Sequence, residues 1–292
     1  MKPAPFAYHR PDTLDGALAL LAAHGTEAKP LAGGQSLIPA MNFRLARPAV
    51  LVDLNRVAGL AYVRDAPDGV RLGAMTRQHT AERDPVVRHG APLLAEALPH
   101  VAHAQIRSRG TIGGSVAHAD PAAEIPAVLL ALGARFVLRG TGPEREIPAE
   151  QFFTGLFETA LAPGQLLTEI VVPRTPPGTG WGFVEVARRH GDYALAGVAA
   201  VVTLDEGGRC REPRIALFGV GAGPVLARRA AKALSGEVPA AKAIAEAADA
   251  AAAKDVDPPG DIHAAAPYRR QLVRVLVRRA LERAVARARE AA

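Results

Sequence analysis

The stretch from Leu31 to Pro39 reads LAGGQSLIP and sets two glycines and a serine between an apolar run and a helix-like segment. Gly33 and Gly34 let the backbone approach another group closely and adopt φ > 0 without a Cβ clash. Successive free N–H groups there form a concavity that suits an anion. Ser36 adds a hydroxyl where the helix begins, so the positive end of the helix dipole faces the same place. No lysine or arginine lies between Gly33 and Asn42. The anion is therefore met by backbone dipoles, which suits a buried diphosphate. A second stretch, RGTIGGSVAHADP from Arg109 to Pro121, repeats the composition, with the Thr111 and Ser115 hydroxyls around Gly113 and Gly114. Asp120 follows and can accept from ribose hydroxyls or from an adenine-side donor. Taken singly, each stretch is equally compatible with an ordinary Gly-Gly turn. Taken together, the two nests exceed what one phosphate needs and fit a diphosphate lying between two subdomains.

Working outward, DTLDGALALLAAHG carries Asp12 or Thr13 as an N-cap, places Leu14, Ala17, Leu18 and Leu21 on one face, and ends at Gly25. The strand AKPLAGG, the short helix SLIPAMNFRL and the strand AVLVDL follow, so roughly the first 55 residues read as a β-α-β-α-β unit. Two further strands, AYVRDA and VRLGAMT, precede one apolar-faced helix predicted over VVRHGAPLLAEALPHVA. After the second glycine stretch come a helix, AAEIPAVLLALG, and the strands ARFVLRG and LLTEIVVP. The segment PRTPPGTG, Pro173 to Gly180, marks a domain boundary. Beyond it lie the strands WGFVEVARR, LAGVAAVVTLDE and REPRIALFGVG, the last two joined by the turn EGGR, and then three helices. The predicted class is α+β, with a first domain over 1–175 (subdomains about 1–57 and 58–175). A smaller α+β domain over 176–292 has a three-stranded antiparallel sheet and helices.

Several function classes are disfavoured. The chain has 292 residues and a net charge of +6, from 35 basic and 29 acidic residues. Much of the excess lies in YRRQLVRVLVRRALERAVARARE, where arginines stand opposite Leu272, Val275, Leu276 and Leu281. That pattern is an amphipathic helix with a solvated basic face. No stacking platform or recognition motif accompanies it, so no nucleic-acid partner is expected. A single cysteine, Cys210, rules out an intrachain disulfide and an iron–sulfur cluster held by this chain's thiolates alone, which needs about four. The N-terminus lacks an apolar signal core and no run suits a membrane span, so a soluble, cytoplasmic chain is expected. The glycines of FGVGAGPVLARR resemble a dinucleotide fingerprint, but Pro224 stands where the third glycine belongs and is better placed to begin a helix. His100, His103 and His118 lack metal-ligand spacing. Asp120 and Glu124 are predicted to complement a helix dipole. No catalytic acid, base or nucleophile stands out.

With their surroundings, these stretches resemble a known family. FAYHRPDTLDGALALLA, KPLAGGQSLIPAMNFRLARPAVLVDLNRV, LGAMTRQHT, QIRSRGTIGGSVAHADPAAEIPAVLLALGA and GDYALAGVAAVV are similar, in order and spacing, to the medium, FAD-binding subunit of molybdenum hydroxylases. This is the xanthine dehydrogenase and carbon monoxide dehydrogenase family. The resemblance implies a two-subdomain FAD-binding fold of the vanillyl-alcohol oxidase (PCMH) type, followed by a flavoprotein C-terminal domain. It implies that Ala32, Gly33, Gly34, Gln35, Ser36 and Leu37, with Thr111, Ile112, Gly113, Gly114 and Ser115, bind the FAD diphosphate, and that Asp120 lies near the ribose. Leu167, in GQLLTEI, matches a position beside the flavin, and Tyr193, in RRHGDYA, one that sets an aromatic ring near the isoalloxazine. Family members often carry His or Thr at Gln35 and Asn at Ser115, and a basic residue before the RR segment is replaced here by FVEVA.

The implied role is electron transfer. By the resemblance, a large molybdopterin-binding subunit is expected to hold the molybdenum cofactor and a small subunit two [2Fe-2S] clusters, with the three chains expected to assemble as a dimer of heterotrimers. No metal site is expected in this chain. The competing readings are a stand-alone FAD-dependent oxidase or reductase and a nucleotide-binding module without redox function.

Overall fold

A computed structural model describes residues 2–291. The first three strands, β1 (Ala7–His9), β2 (Ala28–Leu31) and β3 (Val50–Asp53), pair in parallel in the order β1-β3-β2. Parallel neighbours need a crossover. Helix α1 (Leu14–His24) supplies it between β1 and β2, and α2 (Leu37–Asn42) leads from β2 towards β3. The Thr13 hydroxyl caps α1 by accepting from Gly16 N at 3.1 Å, and Gly25, at φ +52°, ends it. Ala17, Leu18 and Leu21 then pack with Val50, Val52 and Leu54 in a small core. The predicted β-α-β-α-β unit is present.

The second layer is a five-stranded antiparallel sheet. Its strands are β4 (Val63–Ala66), β5 (Gly69–Gly73), β6 (Arg135–Arg139) and β7 (Arg145–Pro148). After a small hairpin, β8 (Phe153–Gly155) and β9 (Glu158–Thr159), β10 (Leu166–Pro173) completes it in the order β4-β5-β10-β6-β7. Between β5 and β6 run α3 (Gln78–Arg83), α4 (Pro85–Gly90), α5 (Pro92–Ala97), α6 (Ala104–Arg107), α7 (Ile112–His118) and α8 (Glu124–Ala131); α9 (Ala149–Phe152) follows β7. The one helix predicted over VVRHGAPLLAEALPHVA is divided. Pro92 disfavours the helical region for the residue before it, and Ala91 sits at φ −142°, ψ 57° between α4 and α5.

Beyond the proline-rich segment, β11 (Thr179–Ala187), β12 (Ala194–Leu204) and β13 (Cys210–Phe218) form the three long antiparallel strands expected. A two-residue strand, β14 (Val225–Leu226), extends the sheet. Pro224 therefore leads into a strand and not into a helix. The next helix, α10 (Arg228–Leu234), starts four residues later, and α11 (Ala241–Ala250) and α12 (Ala266–Glu290) follow. Alternation along β12 explains how this sheet is covered on both faces. Val198, Ala200 and Val202 pack with Leu276, Val277 and Ala280 of α12, whereas Ala199 joins Phe183, Phe218 and the residues of α8 in the core of the preceding domain. Polar ties reinforce the seam. Arg214 donates to Leu130 O and Ala131 O at 2.9 and 3.0 Å, and Arg287 meets Glu96 at 2.6 Å. Among the described residues, no helix is long and apolar enough to cross a membrane, and no group of three or more His, Cys, Asp or Glu side chains is placed to hold a metal ion.

Candidate functional site

A cleft of about 920 Å³ runs between the parallel and antiparallel layers. Its volume is that of a large ligand site. Its floor is where the two glycine stretches meet. A Cβ on Gly33 would lie 2.4 Å from Arg109 O and 2.7 Å from Gly110 Cα, and one on Gly114 would lie 3.4 Å from the Ala32 Cβ. The two bends thus touch backbone to backbone, and glycine at Gly33 is required by that approach.

The bends differ in chemistry. Among the described residues, the N–H groups of Gly33, Gly34, Gln35 and Ser36 have no protein acceptor. Gly34 is in the left-handed region at φ +77°. This is a run of free donors of the kind expected. The second bend departs from the expected nest. Ile112 N donates to Thr76 O and Gly113 N to Ala74 O, both at 2.9 Å, Gly114 N donates to Thr111 Oγ1 at 2.9 Å, and Ser115 N to Thr111 O at 3.2 Å. Its donors are already used because α7 begins there and the bend is stitched to the turn after β5. A Cβ on Gly113 would stand 2.5 Å from the Ala74 Cβ. The second bend is a close-packed wall, and its contribution to a ligand comes from side chains such as Ser115.

Of the residues singled out in the sequence, Ala32, Gly33, Gly34, Gln35, Ser36, Leu37, Thr111, Gly113, Gly114, Ser115, Asp120, Leu167 and Tyr193 all line the cleft. Ile112 does not. It is 0% exposed and belongs to the core under α7, because the first helical residue after Thr111 turns inward. Gln35 braces its own bend, its amide donating to Gly33 O at 3.0 Å. The Asp120 carboxylate accepts from Ala122 N at 2.9 Å and so shapes the entry to α8. Tyr193 arrives from the C-terminal domain at the cleft mouth, 61% exposed. The cleft walls crowd its hydroxyl, and the Asp120 carboxylate adds to the effect, pushing the phenol up to about 12.

Sequence reasoning missed a clamp. Arg77 Nη2 donates to Asn55 Oδ1 at 2.5 Å, and Asn55 Nδ2 donates to Ala32 O at 3.0 Å. Arg77 Nη1 donates to Arg109 O. One guanidinium therefore ties both glycine bends together. Asp53 orients Asn55, accepting from its backbone N–H at 2.8 Å, and accepts in turn from the Tyr8 hydroxyl. Burial lowers the Arg77 pKa. The signal was present in LVDLN and MTRQ, but nothing local says that residues 55, 77 and 109 converge.

Two further lining groups were passed over. Gln78 is 6% exposed, and its Oε1 is buried without a donor among the described residues. Glu124, read as a dipole partner, is also 5% exposed in the cleft wall, and desolvation pushes its carboxyl up to about 7. The cleft lining includes one lysine, Lys29, and no arginine. These features fit a long dinucleotide: free backbone donors for a diphosphate, an orphaned acceptor and a buried carboxyl for hydroxyl or amide donors, and apolar walls such as Leu167 for a flat ring.

Comparison with known proteins agrees with this geometry. A sequence model described as the FAD binding domain in molybdopterin dehydrogenase matches residues 4–175, and one described as the CO dehydrogenase flavoprotein C-terminal domain matches residues 181–284. The chain is 45% identical over 289 residues to the 6-hydroxypseudooxynicotine dehydrogenase complex subunit alpha of Paenarthrobacter nicotinovorans, covering 99% of this chain and 97% of that protein. It is 41% identical over 294 residues to the carbon monoxide dehydrogenase medium chain of Afipia carboxidovorans, covering 99% of both. Superposed on a chain of carbon monoxide dehydrogenase from Hydrogenophaga pseudoflava, it has a TM-score of 0.95 at 41% identity, covering 98% of this chain and 99% of that one.

Proposed function

The chain belongs to the family of FAD-binding subunits of molybdopterin dehydrogenases, and from that premise we propose that it is the electron-transfer subunit of a molybdenum-containing hydroxylase. It is a flavoprotein component of an oxidoreductase. The proposed partners are a large subunit holding the molybdenum cofactor and a small subunit holding two [2Fe-2S] clusters, joined as a dimer of heterotrimers in the cytoplasm. With one cysteine, this chain cannot hold such clusters by its own thiolates. The proposed division is a first domain over 1–175 and a second over 176–292.

FAD bound in this cleft would supply the electron-transfer chemistry, and Gly33–Ser36, Ser115, Gln78, Glu124 and Leu167 would hold it there. The protein positions and shields it. The Gly33–Ser36 donors hold the diphosphate, each charge-assisted bond contributing about 1.5–3 kcal/mol. Arg77 and Asn55 keep the two bends at their separation. Gly113 and Gly114 bring the second bend close, and Ser115 offers a hydroxyl. Gln78 and Glu124 accept from ligand hydroxyl or amide groups. Leu167 backs the ring, and Tyr193 with Asp120 covers the mouth. No side chain is assigned a catalytic acid–base role.

The observation that carries this reading is the run of free N–H groups from Gly33 to Ser36, clamped against the second bend at one end of a dinucleotide-sized cleft. Purification of the tagged chain from its host tests it. Two co-purifying chains, one carrying molybdopterin and one showing iron–sulfur absorbance, with one FAD per copy of this chain, is the expected result. Flavin bleaching by an organic substrate in the isolated chain would instead make it a stand-alone oxidase or reductase.

A further inference from the structure

The glycines of FGVGAGP imitate a dinucleotide fingerprint, but the fold gives the first of them another use. Gly219 follows β13 in the left-handed region, at φ +75°. A Cβ there would stand 2.8 Å from Ala194 O and 3.0 Å from Leu195 O. The turn after β13 is therefore pressed onto the first residues of β12, and Tyr193 immediately precedes them. The same glycine reaches across to the first domain, where its N–H donates to Pro121 O at 2.7 Å. Pro121 directly follows Asp120. Tyr193 and Asp120 both line the cleft, and the backbone segments that carry them meet at Gly219.

Arg269, in the first turn of α12, fastens this junction from behind. The residue is 5% exposed. Its Nη1 donates to Leu195 O at 2.5 Å and to Gly219 O at 3.0 Å, and its Nη2 donates to the Asp261 carboxylate at 2.6 Å. Its Nε has no acceptor among the described residues. A buried guanidinium with an unmet donor is costly, and an apolar side chain would fill the same space at less cost. What the arginine adds is a rigid planar fork that spans two carbonyls from different strands. The loop before α12 supports the arrangement. Asp261 accepts from His263 N and Ala264 N at 2.8 and 2.9 Å, and His263 Nδ1 lies 3.2 Å from Arg188 Nη1, in the segment that leads to Tyr193.

We propose that Arg269 is a positioning residue for the cleft mouth: through Leu195 O and Gly219 O it holds the turns that carry Tyr193 and Asp120 in place across the domain seam, so that Tyr193 covers the bound flavin. The inference rests on FAD occupying the cleft with its ring beneath Tyr193, and not on the identity of the partner chains. Arg269 itself does not line the cleft. Its effect therefore falls on access to the flavin, while the Gly33–Ser36 donors that hold the diphosphate keep their geometry.

The test is iodide quenching of flavin fluorescence in the full chain loaded with FAD. The slope of quenching against iodide concentration, per bound FAD, reports how open the mouth is. Arg269→Met should raise that slope several-fold with little change in FAD Kd, because a fixed turn becomes an equilibrium of covering and uncovered states. Tyr193→Ala should raise it comparably, and the double variant no further, as expected of residues acting through one element. Asp261→Asn removes only the Nη2 partner. It should raise the slope by a smaller factor, and it carries the test if Arg269→Met does not fold. Asp257→Asn, in the same loop but paired with Arg270 at 3.7 Å, should match the wild type. Thermal melts record any loss of stability separately, and a purely structural role for Arg269 would move those melts and leave the slope unchanged. A wild-type slope in Arg269→Met and Asp261→Asn while Tyr193→Ala raises it would overturn the proposal, as would additive effects in the double variant. A wild-type slope in Tyr193→Ala would show that Tyr193 does not cover the ring, and would overturn it too. A wild-type chain that binds no FAD would overturn the cofactor reading itself, and this inference with it.

Discussion

Replacing Gly33 with alanine adds one methyl group at the most crowded point of the site. That Cβ would stand 2.4 Å from Arg109 O, 2.7 Å from Gly110 Cα and 3.0 Å from Arg109 C. All three are backbone atoms and cannot rotate away. Restoring ordinary contact at 3.4 Å needs about 1 Å of separation between the two bends. Overpacking of this kind costs about 1–3 kcal/mol in the free protein. The same shift pulls Arg109 O from Arg77 and moves the Gly33–Ser36 donors off the diphosphate. Loss of one charge-assisted bond costs about 1.5–3 kcal/mol, and each 1.4 kcal/mol is about tenfold in Kd. FAD affinity should therefore fall about 10- to 100-fold in Gly33→Ala. The loss in Gly114→Ala should be smaller, because its 2.6 Å clash is with the Thr111 hydroxyl, which can turn. Gly142→Ala, with nothing within 4 Å, is the control. The assay is quenching of FAD fluorescence by apoprotein, with thermal melts to report the folding cost separately. A Gly33→Ala variant within twofold of wild type in Kd would refute the argument that the bends must touch for the donors to converge.

Removing the clamp tests the same geometry from the other side: Asn55→Ala and Arg77→Gln should each weaken FAD binding several-fold in equilibrium dialysis while the control keeps wild-type affinity. Ile112→Val should cost about 0.5–1.5 kcal/mol of stability in urea unfolding and leave FAD affinity unchanged, since Ile112 faces the core. For the apoprotein, Glu124 predicts a pH dependence. Its carboxyl is near 4.5 unfolded and about 7 folded, so between those values the folded state binds more protons and stability falls as pH rises. The His100 shift has the same sign. Chemical denaturation should show the wild type losing stability from pH 5 to pH 8 and Glu124→Gln losing less; a flat wild-type profile would contradict the burial of that carboxyl.

The predicted α+β elements are present because their signals are local. Thr13 and Gly25 delimit α1 whatever surrounds them, and the alternation of β12 marks both faces of its sheet. Where a neighbour in the chain intervened, the sequence reading erred. Pro92 broke a helix whose apolar periodicity was intact, and the segment after Pro224 found a strand edge on β13 before it found a helix. The site was legible to the same degree. Thirteen of the fourteen residues singled out line the cleft, since glycine and hydroxyl side chains at a strand-to-helix bend are a local signature.

By itself, then, the sequence determined where the backbone could bend, most of the segments that are strand or helix, that the first bend suits an anion, and that one cysteine cannot hold an iron–sulfur cluster by this chain's thiolates alone. The tertiary structure alone decided which of those bends keeps its donors free and which has used them within the protein. It also decided that Arg77 and Asn55 join the two, that Ile112 turns inward, and that the Glu124 carboxyl is buried in the cleft wall. The reason is physical. Propensity and capping act over a few residues, whereas the partner of an N–H, the burial of a carboxyl and the approach of two backbones depend on groups separated by tens of residues in the chain.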